Sequence, residues 1–449
     1  MGPLPNTVVP LIATLMLRIA FAGALMFWSP SLSGFHALDT PSYLLPAKEL
    51  SESFSFSIDG IPNIYRTPGY SLLLVPGIMA GKVEIWALFL NLVFAAGTVM
   101  VISRLAFRMT GSTRAAFAAG MLYAIDPLGI FHAAQLTSET AFTFLASAGI
   151  LLLAEYAQAS GERLRGLLWA ALLSASATLV RPIGLYLPWV LAGCLAWGLI
   201  RAKAASRPGW PGWIKLAVFL GIAAAPPLAW QARNALAAGY PGLCAIVDVN
   251  NYYFQASAVL ARVEGKTLLQ ARMDDGYEKE LWLLEHPRER QEDQGAHFRA
   301  LGAEGKAVLR KHPLAYLRIH LAGIFKVLTN PGASGYLVVY NRNSEVEALA
   351  GVYPDGGALQ AVTDFKRFRP VFFWSNALLG MLLVAYYIAA ARGLWLARKK
   401  WSMTHTLLLA AACYFAAVSG GANAVSRFRH PIMPILCIFA GAGLVRKPG

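Results

Sequence analysis

Eight basic residues stand where a chain of this composition does not usually put them. Arg18, Lys48, Arg66, Lys82, Arg181, Arg233, Arg427 and Arg429 lie outside both the short basic loops and the charge-rich segment 234–370. All but Arg18 map to the face opposite the basic loops. Acids gather on that same face: Asp39, Glu49, Glu52, Asp59, Glu84, Asp126 and Glu139. Carboxylates and arginines together suit a reaction with an anionic leaving group. A carboxylate can take a proton in the transition state, and arginines hold phosphate by paired, charge-assisted hydrogen bonds. Charge at mid-bilayer costs about 2.5–3.5 kcal/mol, so acids at helix ends, such as Asp126 and Glu139, face a polar cavity or a partner. A structural role competes with each of these readings. Arginines beside helices snorkel or pair with acids as plain structure, and Asp126 precedes Pro127, a pair that more often builds a turn.

The elements that must position these residues are apolar. Of 449 residues, 57% are hydrophobic and only 14% charged, against roughly 25% charged in soluble domains. Apolar blocks of about 17 to 25 residues match the roughly 30 Å of bilayer hydrocarbon. This composition excludes a soluble enzyme, a disordered chain and a disulfide-rich module. Ten spanning helices are expected, over 7–28, 84–107, 113–131, 138–156, 164–180, 183–200, 213–231, 371–391, 403–420 and 430–446. The net charge of +15 does not point to nucleic acid, because segment 234–370 is nearly neutral and the excess sits in short loops. Those loops hold Arg104, Arg108 and Arg114; Arg163 and Arg165; Arg201, Lys203, Arg207 and Lys215; Arg392, Arg398, Lys399 and Lys400; and Arg446 and Lys447. All fall on one side if both termini are cytoplasmic.

Three parts follow: an N-terminal transmembrane module, 1–233, with a large first outer loop, 29–83; an extracytoplasmic segment, 234–370; and C-terminal transmembrane helices, 371–449. The segment contains helical stretches over 265–311. After it, His312–Leu328 carries Leu314, Leu317, Leu321, Ile324 and Leu328 as a stripe, expected to lie on the membrane surface. Cys194, Cys244, Cys413 and Cys437 form no CxxC pair and imply neither a disulfide framework nor a zinc site.

The acids and arginines occur in a recognisable order of short motifs: Asp39-Thr-Pro-Ser-Tyr43, Tyr65-Arg66-Thr67-Pro68-Gly69-Tyr70, Thr137-Ser138-Glu139, Arg181-Pro182, Trp230-Gln-Ala-Arg233-Asn234 and Ser426-Arg427-Phe428-Arg429-His430-Pro431. This order resembles the GT-C glycosyltransferases, in particular the ArnT-like, protein-mannosyltransferase-like group with an RgtA/B/C/D-like domain. The resemblance is strongest over 1–235 and 420–446. It implies an all-α polytopic bundle that transfers a sugar from a polyprenyl-phosphate donor on the extracytoplasmic side of a membrane, expected to be the bacterial inner membrane. It also implies catalytic positions at Asp39 and Glu139, with Arg66, Arg181, Arg233, Arg427 and Arg429 as phosphate-binding positions. Asp39 has no adjacent second acid, unlike some relatives.

With Asp39 as the base and no nucleophile identified, single displacement with inversion is expected. Tyr43, Tyr65 and Tyr70 are candidates for contacting a sugar or acceptor. Pro68 biases Thr67 away from helix, so a turn should place Arg66 just before an amphipathic stretch over 69–80. His36 with Asp39, and His132 with Glu139, offer ligands for a divalent metal. Neither spacing is a zinc signature, so no cofactor is assigned. A glycolipid, a polysaccharide and a protein hydroxyl all remain open as acceptors. Two other readings compete: a flippase or transporter of a lipid-linked anion, which predicts deep intramembrane charges and an internal repeat, and a scaffold subunit, which would leave Asp39 and Glu139 dispensable.

Overall fold

A computed structural model describes residues 7–29, 32–159, 164–201, 211–291, 293–333, 336 and 370–445. The basic-loop residues Arg163, Lys203, Arg207, Arg446 and Lys447, and most of the expected segment after 336, lie outside the described residues.

The chain runs through α1 (Val8–Trp28), α2 (Pro41–Ser53), a hairpin of β1 (Ser57–Ile58) and β2 (Ile61–Pro62), α3 (Pro68–Met79), α4 (Val83–Thr110), α5 (Thr113–Ala124), α6 (Pro127–Ala133), α7 (Glu139–Gln158), α8 (Leu164–Val180), α9 (Leu187–Arg201) and α10 (Gly212–Ala238). Next come α11 (Ile246–Val249), a π-helix (Asn250–Ala256), α12 (Ser257–Glu264), α13 (Leu268–Asp274), α14 (Tyr277–Glu285), α15 (Gln294–Lys311) and α16 (Pro313–Thr329). The last helices are α17 (Pro370–Ala397), α18 (Met403–Val418) and α19 (Met433–Leu444).

Among the described residues six stretches are long and apolar enough to cross a membrane: Val8–Trp28, Val83–Thr110, Glu139–Gln158, Pro182–Ile200, Gly212–Ala238 and Phe373–Lys400. A seventh is the bent pair α5–α6, and α8 and α18 are shorter apolar helices. The bundle core packs α7 on α8, α8 on α10, α5 on α19 and α17 on α19. The last crossing is close because Gly393 and Gly443 carry no Cβ; one at either would run into the facing backbone of Phe439 or Ala389.

Two expected spans differ in form. The span over 113–131 is broken, with α5 and α6 meeting at 56°. Pro127 lacks the N–H that would bond the Tyr123 carbonyl. Asp126 caps the new helix, its Oδ2 accepting from Gly129 N at 2.9 Å. The turn reading of Asp126 therefore describes what this residue does. Arg18, buried within α1, answers the break from the other side: it donates to the Tyr123 carbonyl at 3.4 Å and to the Ala124 carbonyl at 3.2 Å. The Tyr123 carbonyl also accepts from Asp126 N at 3.3 Å, so Arg18→Leu orphans the Ala124 carbonyl and is expected to lower the thermal unfolding midpoint in nanodiscs, an orphaned buried carbonyl costing about 1–3 kcal/mol. An unchanged midpoint would show that the Ala124 carbonyl needs no such donor. The span over 430–446 also starts late: Ser426–Ile432 is a 3-10 turn, and α19 begins only at Met433.

The first loop is not wholly helical. Asp59 and Gly60 both take positive φ, 53° and 77°, the two-residue Asp-Gly turn that suits a tight hairpin. It pairs Ile58 with Ile61. The stripe on α16 is displaced from expectation. Leu314, Leu317, Leu321 and Phe325 are the exposed apolar residues, while Ile324 and Leu328 are half-buried.

Candidate active site

Local sequence aims three arginine-bearing turns at one point. Thr67 is extended (φ −75°, ψ 149°) and Pro68 opens α3, so Arg66 sits in the turn before that helix. Gly69 is small for a reason of packing rather than dihedral freedom: a Cβ there would come within 2.7 Å of the Leu179 carbonyl group. That contact sets the Arg66 turn against the end of α8, where Arg181 follows. Arg427 comes from the 3-10 turn before α19.

The side chains close into a ring. Arg66 Nη2 donates to Asp39 Oδ1 at 3.0 Å, Arg66 Nε to Ser42 Oγ at 2.9 Å and Arg66 Nη1 to the Tyr43 hydroxyl at 3.3 Å. The Tyr43 hydroxyl meets Ser138 Oγ at 3.2 Å. Arg181 Nη1 donates to Ser138 Oγ at 3.3 Å and also to Glu139 Oε1. Arg427 Nε lies 3.3 Å from Glu139 Oε1, and its Nη2 lies 2.7 Å from Asp39 Oδ2, which completes the circuit. Three guanidiniums face two carboxylates, so the ring itself has one positive charge to spare. Asp39 is held down to about pKa 2: burial pushes it up most, but Arg66 and then Arg427 together outweigh that. The ring has an open side and a closed one. The side chains of Arg427 and Asp39 are 29% and 28% exposed, whereas Glu139 is 2% exposed.

The expected site residues separate into two groups. Asp39, Glu139, Arg66, Arg181, Arg427 and Tyr43 come together. Arg233 does not reach the ring: it donates to the carbonyls of Asn63 at 2.8 Å and Phe56 at 2.6 Å, bracing the hairpin. Arg429 turns away and donates to the Val327 and Asn330 carbonyls at 2.7 and 2.8 Å, satisfying the end of α16. Two residues apart on a 3-10 turn, Arg427 and Arg429 must point in different directions. Tyr43 and Tyr70 are buried edge to face, with centroids 5.0 Å apart, and offer no open ring for a sugar. Tyr65 is half-buried, with the Arg66 guanidinium 5.1 Å from its ring centre.

His36 Nε2 meets Glu84 at 3.0 Å rather than Asp39. His132 packs edge-on against His430 with centroids 5.4 Å apart and lies within electrostatic reach of Glu139. Among the described residues no group of three or more His, Cys, Asp or Glu converges to hold a metal ion. Ser42 and Ser138 are the ring members not singled out from sequence, although both lie inside the quoted motifs.

Glu139 separates two guanidiniums in a dry setting. Glu139→Gln is expected to cost about 3–5 kcal/mol, the usual loss when one partner of a buried ion pair is removed. A lowered unfolding midpoint checks this; a wild-type midpoint would mean that the arginines find other partners.

No protein-family model matches the chain, and no curated protein matches it in sequence. Among solved structures, the apo oligosaccharyltransferase of Archaeoglobus fulgidus superposes with a TM-score of 0.51 at 11% identity, over 97% of this chain and 50% of its own. The chain has the GT-C fold. The fold assignment rests on that superposition. Lower TM-scores relate the chain to the Archaeoglobus fulgidus oligosaccharyltransferase AglB with an inhibitory peptide and a dolichol-phosphate (0.47, 13% identity, 98% of this chain and 50% of that one). They also relate it to ArnT from Cupriavidus metallidurans bound to undecaprenyl phosphate (0.40, 13% identity, 96% and 77%). The chain spans about half the length of the oligosaccharyltransferases it matches. It is an integral membrane protein.

Proposed function

We propose that the protein is a glycosyltransferase that moves a sugar from a polyprenyl-phosphate donor to an acceptor hydroxyl on the extracytoplasmic face of a membrane. One observation carries the reading: Asp39 and Arg427 are the open members of the ring and lie 2.7 Å apart. A base and a phosphate donor group are thus adjacent at one opening. The surplus positive charge of the ring matches the single negative charge of a phosphodiester-linked sugar.

In the resting site Asp39 is too weak a base, because both of its oxygens are held by arginines. A donor phosphate competes for Arg427, and the freed carboxylate, now opposed mainly by burial, becomes more basic. Asp39 then takes the acceptor hydroxyl's proton while that oxygen attacks the anomeric carbon. The carbon–oxygen bond to phosphate breaks, and polyprenyl phosphate leaves with its new charge on Arg427 and Arg181. Configuration inverts. Glu139, closed off from solvent, positions Arg181 and Arg427 rather than touching the reacting atoms. The prenyl chain stays in the bilayer, which suits a site built at the ends of spanning helices.

A bacterial inner membrane with both termini cytoplasmic fits the basic loops. The residues favour transfer over carriage: Arg18, the deep intramembrane charge, is fully buried and spent on the backbone carbonyls of a broken helix. The test uses proteoliposomes with a panel of sugar-labelled polyprenyl phosphates and membrane extract as acceptor source. Label moving into the acceptor fraction, with polyprenyl phosphate released, is the expected result. Movement of a fluorescent polyprenyl phosphate across the bilayer, without consumption of any donor, would replace this reading with the carrier one.

A further inference from the structure

The part of the chain that matches little in the quoted motifs is built onto the ring. Ala245 N donates to the Ile64 carbonyl at 2.8 Å and Ile246 N to the Tyr65 carbonyl at 3.3 Å, so α11 is tied to the Arg66 turn. Gln255, at the end of the π-helix, donates to Asn423 Oδ1 at 3.0 Å and accepts from Ala422 N at 3.0 Å, just ahead of Arg427. α11 and the seven-residue π-helix that continues it thus bridge the Arg66 turn and the segment ahead of Arg427. π-Helical turns are rare and cluster at functional sites, and this one carries Tyr252, Tyr253 and Phe254 in succession.

Those rings continue outward from Asp39. The Arg66 guanidinium packs on Tyr43 and Tyr65, at 4.7 and 5.1 Å from their centres. Tyr65 and Tyr277 pack against the same buried cluster, and Tyr277 is near enough to Asp39 and Arg66 to feel both charges. Phe254 lies 5.3 Å from Tyr277, and Arg272 lies 4.0 Å from the centre of Phe254. Arg272 Nε donates to the Tyr253 carbonyl at 3.1 Å; neither Nη atom donates to a described residue. Phe254, Arg272 and Tyr277 are each half-buried.

Resting on the transferase reading above, we propose that Phe254, Tyr277 and Arg272 form a carbohydrate subsite that seats a sugar ring of the acceptor beside Asp39. Partly open aromatic surface receives the C–H face of a pyranose, and the spare guanidinium donors meet its hydroxyls, the usual division between apolar lining and few orienting polar groups. The acceptor is therefore a glycan or glycolipid rather than a bare protein hydroxyl.

The test is saturation-transfer NMR on the full chain in nanodiscs, with methyl glycosides of glucose, galactose and mannose as probes. At least one glycoside is expected to be saturated by wild type. The signal should fall about tenfold in Phe254→Leu and in Tyr277→Leu, in line with the loss of aromatic contact. It should persist in Phe254→Tyr. Arg272→Gln, at a half-exposed position, is expected to weaken binding about threefold and keeps the test standing if the leucine variants do not fold. No saturation in wild type, or equal saturation in all folded variants, overturns the subsite. Glycoside binding without any sugar transfer would retain the sugar site and remove the transferase reading. Transfer with binding unchanged in the variants would do the reverse.

Discussion

Asp39→Asn is expected to reduce sugar transfer by about 10²- to 10⁴-fold, the range that a positioned general base contributes. The loss should fall on kcat. The neutral amide can no longer balance Arg66 and Arg427, so the guanidiniums that Asp39 holds at 3.0 and 2.7 Å become more available to phosphate. Donor KM should therefore stay level or fall while turnover collapses. Asp39→Glu, which keeps the charge but moves it, should recover part of the rate. Turnover near wild type in a folded Asp39→Asn variant would remove Asp39 as the base.

Arg427→Gln is the second large effect. Loss of a preorganised donor at the leaving group is expected to cost about 10²- to 10³-fold in kcat. It should also change the pH profile. In wild type, Asp39 sits at about pKa 2, below the ordinary 3.8, because Arg66 and Arg427 overcome burial. The ion pairs it makes stabilise the fold above the ordinary carboxylate pKa, and that contribution is lost as pH falls through about 2. The acid limb of kcat/KM for wild type therefore lies below the accessible range. Removing Arg427 leaves burial, the largest influence, opposed mainly by Arg66, so the Asp39 pKa rises and the acid limb moves up in pH. A rate profile from pH 4 to 8 checks this; an acid limb unmoved in Arg427→Gln would show that Asp39 does not set it.

Much of the bundle was legible because hydrocarbon thickness imposes block length, and block length is visible in a string. The breaks were less so. Asp126-Pro127 signals a turn, but the partner that makes the break tolerable, Arg18, is more than a hundred residues away. The Asp-Gly turn that makes the hairpin was present in the string, inside a first outer loop to which no strand was assigned. At the site, the order of motifs behind the resemblance gathered five residues that meet in the ring along with two arginines that brace backbone carbonyls elsewhere. Residue type cannot separate an arginine that meets a carboxylate from one that caps a helix. For Arg427 and Arg429 the decisive fact is the 3-10 turn that parts them. Glu139 and Asp39 read alike in sequence, and only exposure distinguishes the closed carboxylate from the open one.

The most direct measurement is a structure of the protein in nanodiscs with polyprenyl phosphate. The account predicts phosphate density against Arg427 at the open side of the ring, with the Asp39–Arg427 contact opened and Arg181 still on Glu139. Phosphate bound away from Arg427, with the Asp39–Arg427 pair intact, would contradict it.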